Sequence, residues 1–249
     1  MLRKLLQPKF ILAFLLFLLL LGGGLYYWLN ISYGPEEEAL LYLEPTSSYE
    51  VLEEEDYFAF LPGESAAEFE RGFIVYPGGQ IRVESYSALA AELAKRGYLV
   101  FLVQMPYELA ILGWSRAENV VREYPEISNW YLIGHSLGGA MAVRFLKRET
   151  PENFTGLVLL GAYPAAADDI SDLNLNALSL YGSEDRVMDG ELFRERQNLL
   201  PPDTQFREIP GGNHAGFGQY GEQEGDGRPE ISFEEQLEKT VKSILDLID

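Results

Sequence analysis

Six consecutive residues carry the strongest chemical signal in this chain: Gly134-His135-Ser136-Leu137-Gly138-Gly139. A serine hydroxyl is a weak nucleophile at its ordinary pKa. It becomes reactive when a base takes its proton and fixed donors receive the charge that builds on the attacked oxygen. Glycines two before and two after Ser136 suit a tight strand-to-helix turn, which leaves no room for bulk at those places. Such a turn lifts Oγ to the mouth of a sheet and aims the Leu137 N–H, at a helix start, toward a developing oxyanion. The short pattern gains weight from its context. An apolar strand, Trp130 to Ile133, runs directly into it, and Gly139, Ala140 and Ala142 let the following helix approach the sheet closely.

The base must titrate near neutrality, and the chain holds two histidines, His135 and His214. His135 adjoins the serine inside the turn and is expected to point away from it. That leaves His214, on a glycine-flanked loop. Two histidines cannot supply a three-histidine zinc site, and no H-E-x-x-H pair exists. Cysteine is absent, which excludes disulfides, thiolate metal sites and a cysteine nucleophile. No metal and no cofactor are expected.

The elements that must position these residues alternate along the chain. Apolar runs at Leu40–Leu43, Tyr57–Leu61, Phe73–Tyr76, Tyr98–Val103, Trp130–Ile133, Leu157–Leu160, Ala177–Tyr181 and Thr204–Ile209 read as strands. Between them, Tyr86, Leu89, Ala90 and Leu93 repeat at helical spacing, closed by Gly97, and Ala117–Arg122 reads as a further helix. The last helix opens on a capping box, Ser232 and Glu235, and presents Leu237, Val241, Ile244, Leu245 and Ile248 on one face. This rhythm predicts an α/β fold: a mainly parallel twisted sheet of about eight strands with helices on both faces, ligands sitting beyond the strands' carboxyl ends. Only Gly161–Asn176 separates two late strands, which is too short for a cap domain.

Phe10 to Leu29 is an uncharged run rich in Leu and Phe. As a helix it would span about 30 Å, the thickness of a bilayer's hydrocarbon core. Arg3, Lys4 and Lys9 precede it, and Tyr26, Tyr27 and Trp28 close it. The sequence therefore predicts residues 1–30 as a cytoplasmic basic stub and transmembrane anchor, 31–39 as a linker and 40–249 as an extracytoplasmic globular domain. A cleaved signal peptide, leaving a secreted domain, is the alternative. Beyond Lys9 the remaining 16 basic residues face all 39 acidic ones, so nucleic acid is not an expected partner. Asn30-Ile31-Ser32 and Asn153-Phe154-Thr155 fit the glycosylation pattern, a motif too short to argue from. Oligomeric state is not legible.

The segment around Ser136 resembles the nucleophile elbow of the α/β-hydrolase superfamily. The resemblance covers roughly Phe73 to Asp249 and is nearest to compact, cap-less members related to the dienelactone hydrolases. It implies a triad in the order nucleophile, acid, histidine. Asp185, before Val187 in Gly182-Ser183-Glu184-Asp185-Arg186-Val187, matches the acid, with Glu184 its rival; His214, after Pro210-Gly211-Gly212-Asn213, matches the base. Asp168 and Asp169 fall outside that slot and read as surface residues. The loop Tyr76-Pro77-Gly78-Gly79-Gln80 matches the place of a second oxyanion donor, with Gly79 ahead of Gln80. Tyr107, Trp114 and Tyr163 follow strand ends on the same side and are candidates to line a substrate pocket, with Gly216-Phe217-Gly218 at its rim. Dienelactone hydrolases proper use cysteine where this chain has serine, so their substrate does not carry over.

The expectation is a serine hydrolase that cleaves an ester or related acyl bond of a small molecule through an acyl-enzyme. The alternatives are a non-catalytic scaffold of the same fold acting as a tethered binding module, and a peptidase on that fold.

Overall fold

The computed structural model describes residues 8–29, 31–63, 70–149 and 152–248. It divides into two units, Met1–Ser32 and Tyr33–Asp249. The first unit is helix α1 (Pro8–Leu29), whose apolar side chains from Phe14 to Leu21 are 44–70% exposed. Among residues described in full, no helix is long and apolar enough to cross a membrane. The transmembrane helix expected over Phe10–Leu29 is therefore not found, several side chains along that stretch lying outside those described. Arg3, Lys4 and Asn30 also lie outside the described residues.

The second unit is built on one sheet of eight strands: β1 (Tyr49–Glu53), β2 (Tyr57–Pro62), β3 (Arg71–Tyr76), β4 (Leu99–Val103), β5 (Asn129–His135), β6 (Phe154–Leu160), β7 (Asn176–Gly182) and β8 (Gln205–Ile209). Their order across the sheet is β1-β2-β4-β3-β5-β6-β7-β8. β2 runs antiparallel to β1 and to β4, and all other neighbours are parallel. The helices are α2 (Glu37–Leu41), α3 (Ser87–Ala94), α4 (Ala117–Glu123), α5 (Leu137–Glu149), α6 (Gly190–Arg196) and α7 (Phe233–Ile248).

Strands buried on both faces read as continuous apolar runs because successive side chains serve opposite layers. Phe73, Val75, Val100, Leu102, Tyr131 and Ile133 face a layer shared with α3 and α7. Ile74, Phe101, Trp130 and Leu132 face the other, shared with α4 and α5. The crossover helix after β3 thus covers one face and the helix after β5 covers the other. That split opens a crevice beyond the carboxyl ends of β3 and β5. Gly78–Gln80 and Ser136 lie at those two ends.

Two readings of the early chain need correction. Leu40–Leu43 is not a strand: Glu37–Leu41 is helix α2, with acidic residues in its first turn, where they suit the helix dipole. Strand β1 went unread because Glu50, Glu53, Glu54 and Glu55 make Tyr49–Glu53 look like loop. It is an edge strand with only Tyr49 buried, and charge on such an edge discourages pairing with another chain. Tyr33 bridges Ile81, and the Glu36 N–H donates to the Gln219 carbonyl, so this stretch is joined to the second unit.

Candidate active site

Strand β5 ends at His135, and α5 begins at Leu137, with Ser136 between them at φ +50°, in the left-handed region that a non-glycine residue seldom enters. The Ser136 N–H donates to the Leu160 carbonyl (3.0 Å), tying the turn to β6. The flanking glycines are required by contact. A Cβ at Gly138 would lie 2.3 Å from the Pro77 carbonyl oxygen, and one at Gly134 would lie 2.5 Å from Gly139 Cα. The Gly139 and Ala140 N–H groups donate to the Ser136 carbonyl (3.0 and 3.2 Å), while those of Leu137 and Gly138, at the helix start, have no acceptor within the helix.

The candidate acid and base lie on the loops after β7 and β8. After β7, Asp185 Oδ2 meets His214 Nδ1 at 2.8 Å, and both side chains are 1% exposed. Asp185 Oδ1 accepts the N–H groups of Val187 (3.0 Å) and Met188 (2.8 Å), which fixes the carboxylate. Glu184 is turned elsewhere, toward the Ser183 hydroxyl and Arg186. A carboxylate on Nδ1 holds that proton in place and leaves Nε2 as the ring's free base. His214 Nε2 is buried and makes no hydrogen bond among the described residues. Ser136 and His214 line one pocket of about 180 Å³ with Leu137, Ala140, Ala162 and Met188. The two residues, distant in sequence, are brought to one rim.

Among the other sequence candidates, Gly79 lies against Leu137: a Cβ there would be 3.0 Å from Leu137 Cδ2. Its N–H has no acceptor among the described residues, whereas the Gln80 N–H is spent on the Glu108 carbonyl at 2.7 Å. Tyr163 lines the pocket, and burial together with nearby Asp189 pushes its hydroxyl pKa up. Tyr107 and Trp114 do not line it. Tyr107 is 55% exposed, and Trp114 packs on the core while its carbonyl accepts the buried Tyr76 hydroxyl (2.7 Å). Phe217 is buried behind the site, against the His135 ring, rather than at the rim. Asp168 is no surface residue: it is fully buried and paired with Arg144 Nε at 3.0 Å, while Asp169 is exposed. Among the described residues no group of three or more His, Asp or Glu side chains is placed to hold a metal ion.

Three supports were not found in the sequence. Gly161, at φ +53°, lies under the Asp185–His214 pair. Asp226 accepts the N–H groups of Ala215 (2.8 Å), Gly227 (2.8 Å) and Arg186 (3.2 Å), joining the loops that carry His214 and Asp185. Gln236 of α7 clasps the backbone of Asn213, accepting its N–H (3.0 Å) and donating to its carbonyl (2.9 Å). Of the three, Gln236 is legible in outline, as a polar residue one turn before Thr240 on the face that also buries Val241, Ile244 and Ile248.

Residues 72–238 match the alpha/beta hydrolase family, and the chain belongs to it. Solved structures share its fold at low identity. An α/β serine hydrolase without lid from Xanthomonas campestris is 18% identical, over 83% of this chain and 95% of that one, with a TM-score of 0.54. A dienelactone hydrolase-like promiscuous phosphotriesterase from metagenomic libraries is 17% identical over 77% and 92%, TM-score 0.57. A carboxylesterase from Bacillus subtilis is 13% identical over 91% and 98%, TM-score 0.56. No curated protein matches the sequence.

Proposed function

We propose that this protein is a serine hydrolase acting on an ester or related acyl bond of a small molecule. Ser136 Oγ attacks the carbonyl carbon as His214 Nε2 takes its proton, while Asp185 stabilises the imidazolium that forms. The N–H groups of Leu137 and Gly79 hold the tetrahedral oxyanion. Collapse expels the leaving group with the proton from His214, giving an acyl-enzyme. Water then adds through the same base, and Ser136 leaves protonated. Each step draws on this chain's own residues, without a metal or organic cofactor.

The observation that carries the reading is the buried 2.8 Å Asp185–His214 pair sharing one pocket with a left-handed Ser136. The carboxylesterase among the structural neighbours favours an ester. A tether is part of the reading: α1 is 22 residues long, and its Leu12 and its run from Phe14 to Leu21 are exposed, as in a membrane anchor ahead of an extracytoplasmic domain. A fluorophosphonate probe should label the wild-type chain and leave Ser136→Ala unlabelled. Labelling of that variant at the wild-type rate would exclude Ser136, and a chromogenic ester panel against peptides then separates esterase from peptidase.

A further inference from the structure

A buried chain of groups that the reaction scheme leaves unused runs behind the site. The Gly78 N–H donates to the Tyr86 hydroxyl at 2.9 Å, and that hydroxyl lies 2.7 Å from His135 Nδ1. Tyr86 is 1% exposed and His135 fully buried, so neither can trade these bonds for water. The Tyr86 oxygen already accepts from Gly78. Donation of its own proton to Nδ1 pairs the buried O–H and makes His135 the Nε2–H tautomer, with that Nε2 buried and without a hydrogen-bond partner among the described residues. On its far side the His135 ring lies 4.6 Å from the ring of His214, centroid to centroid, tilted by 45°. Gly78 is needed for this closeness: a Cβ there would fall 3.0 Å from His135 Nδ1 and 3.2 Å from the Tyr86 oxygen.

We propose that Tyr86 and His135 are positioning residues that link the loop bearing the Gly79 N–H to the ring face of His214. The proposal rests on the hydrolase reading above and adds to it a coupling between oxyanion donor and base. Gly79 is one residue from the amide that Tyr86 holds, so a loose Gly78 displaces the donor. His135 supplies a neutral surface against a ring that becomes cationic during the reaction. Burial, and then the neighbouring His214, drive its pKa well below the ordinary histidine value, which suits that task; the His214 backbone carbonyl opposes them more weakly. The other groups around it are Tyr220 and Phe217, with Asp185 held on the opposite nitrogen of His214.

The test compares Tyr86→Phe, His135→Asn and His135→Leu in the full chain. Tyr86→Phe keeps the ring and removes the oxygen. Its kcat on an aryl ester should fall about tenfold with KM within about twofold, a fraction of what losing an oxyanion donor outright costs. Asn offers an acceptor near the place of Nδ1, and Leu of similar bulk offers none, so kcat should rank wild type, then Asn, then Leu. A structural role alone predicts lower thermal stability with kcat unchanged. Wild-type kcat in folded Tyr86→Phe, or Leu performing as well as Asn, overturns the proposal. Absence of fluorophosphonate labelling in the wild type overturns the hydrolase reading itself. Complete but slowed labelling of Ser136 in the variants supports both.

Discussion

Gly161 lies directly under the Asp185–His214 pair. It follows β6 directly in a left-handed conformation, and a Cβ there would lie 2.9 Å from His214 Nδ1 and 3.1 Å from Asp185 Oδ2. Ala at this position pays twice, once in backbone conformation and once in contact with a ring that cannot retreat. Gly161→Ala should lower stability by about 1–2 kcal/mol in urea titration. It should also cut kcat/KM about tenfold or more, since small misplacements of a catalytic group are costly. Wild-type kinetics in that variant would mean that the ring position is not critical. Residues of this kind are invisible in sequence. The turn at Ser136 was legible because it needs glycine on both sides within a few residues; Gly161 lies against residues 24 and 53 positions later, a contact that no local pattern records.

At the scale of elements, the site is a set of loops that the sheet brings together and hydrogen bonds hold in register. Asp226 is one tie, receiving one N–H from the loop of Asp185, one from the loop of His214 and one from its own, beside the Glu184 N–H donated to the Gly212 carbonyl at 2.8 Å. Asp226→Ala orphans these amides and should cost about 1–3 kcal/mol of stability, from the net worth of such bonds. The rate of fluorophosphonate labelling should fall with it, and Asp226→Asn, which keeps one acceptor oxygen, should lie between. An unchanged labelling rate in Asp226→Ala would show that the two loops hold their places without it. The central strands were legible because burial on both faces writes them as unbroken apolar runs, as in Phe73–Tyr76 and Leu99–Val103. The edge was not. β1 has one buried residue and carries charge, and Leu40–Leu43 is an apolar run too short to tell strand from helix, where Leu40 and Leu41 end exposed. Asp168 misled for a related reason: a lone acidic residue in a loop reads as solvated until its partner Arg144, on another element, is seen beside it.

Over the whole molecule, charge and apolarity are segregated. The first nine residues hold three basic groups, and the rest of the chain carries a net charge of −23 from its 39 acidic and 16 basic residues. A domain so acidic is repelled by anionic headgroups, so any attachment to a bilayer must come from burial of α1 rather than from electrostatics. This distinction is measurable. The full chain should sediment with membranes and stay there in about 1 M salt, where the Debye length shrinks to about 3 Å and surface attraction is lost. A chain beginning at Tyr33 should be released to the soluble fraction while keeping its ester turnover within about twofold, because the triad candidates and every support named here belong to the second unit. Release of the full chain by salt would reduce α1 to a peripheral contact. Loss of turnover on its removal would mean instead that the helix helps shape the domain.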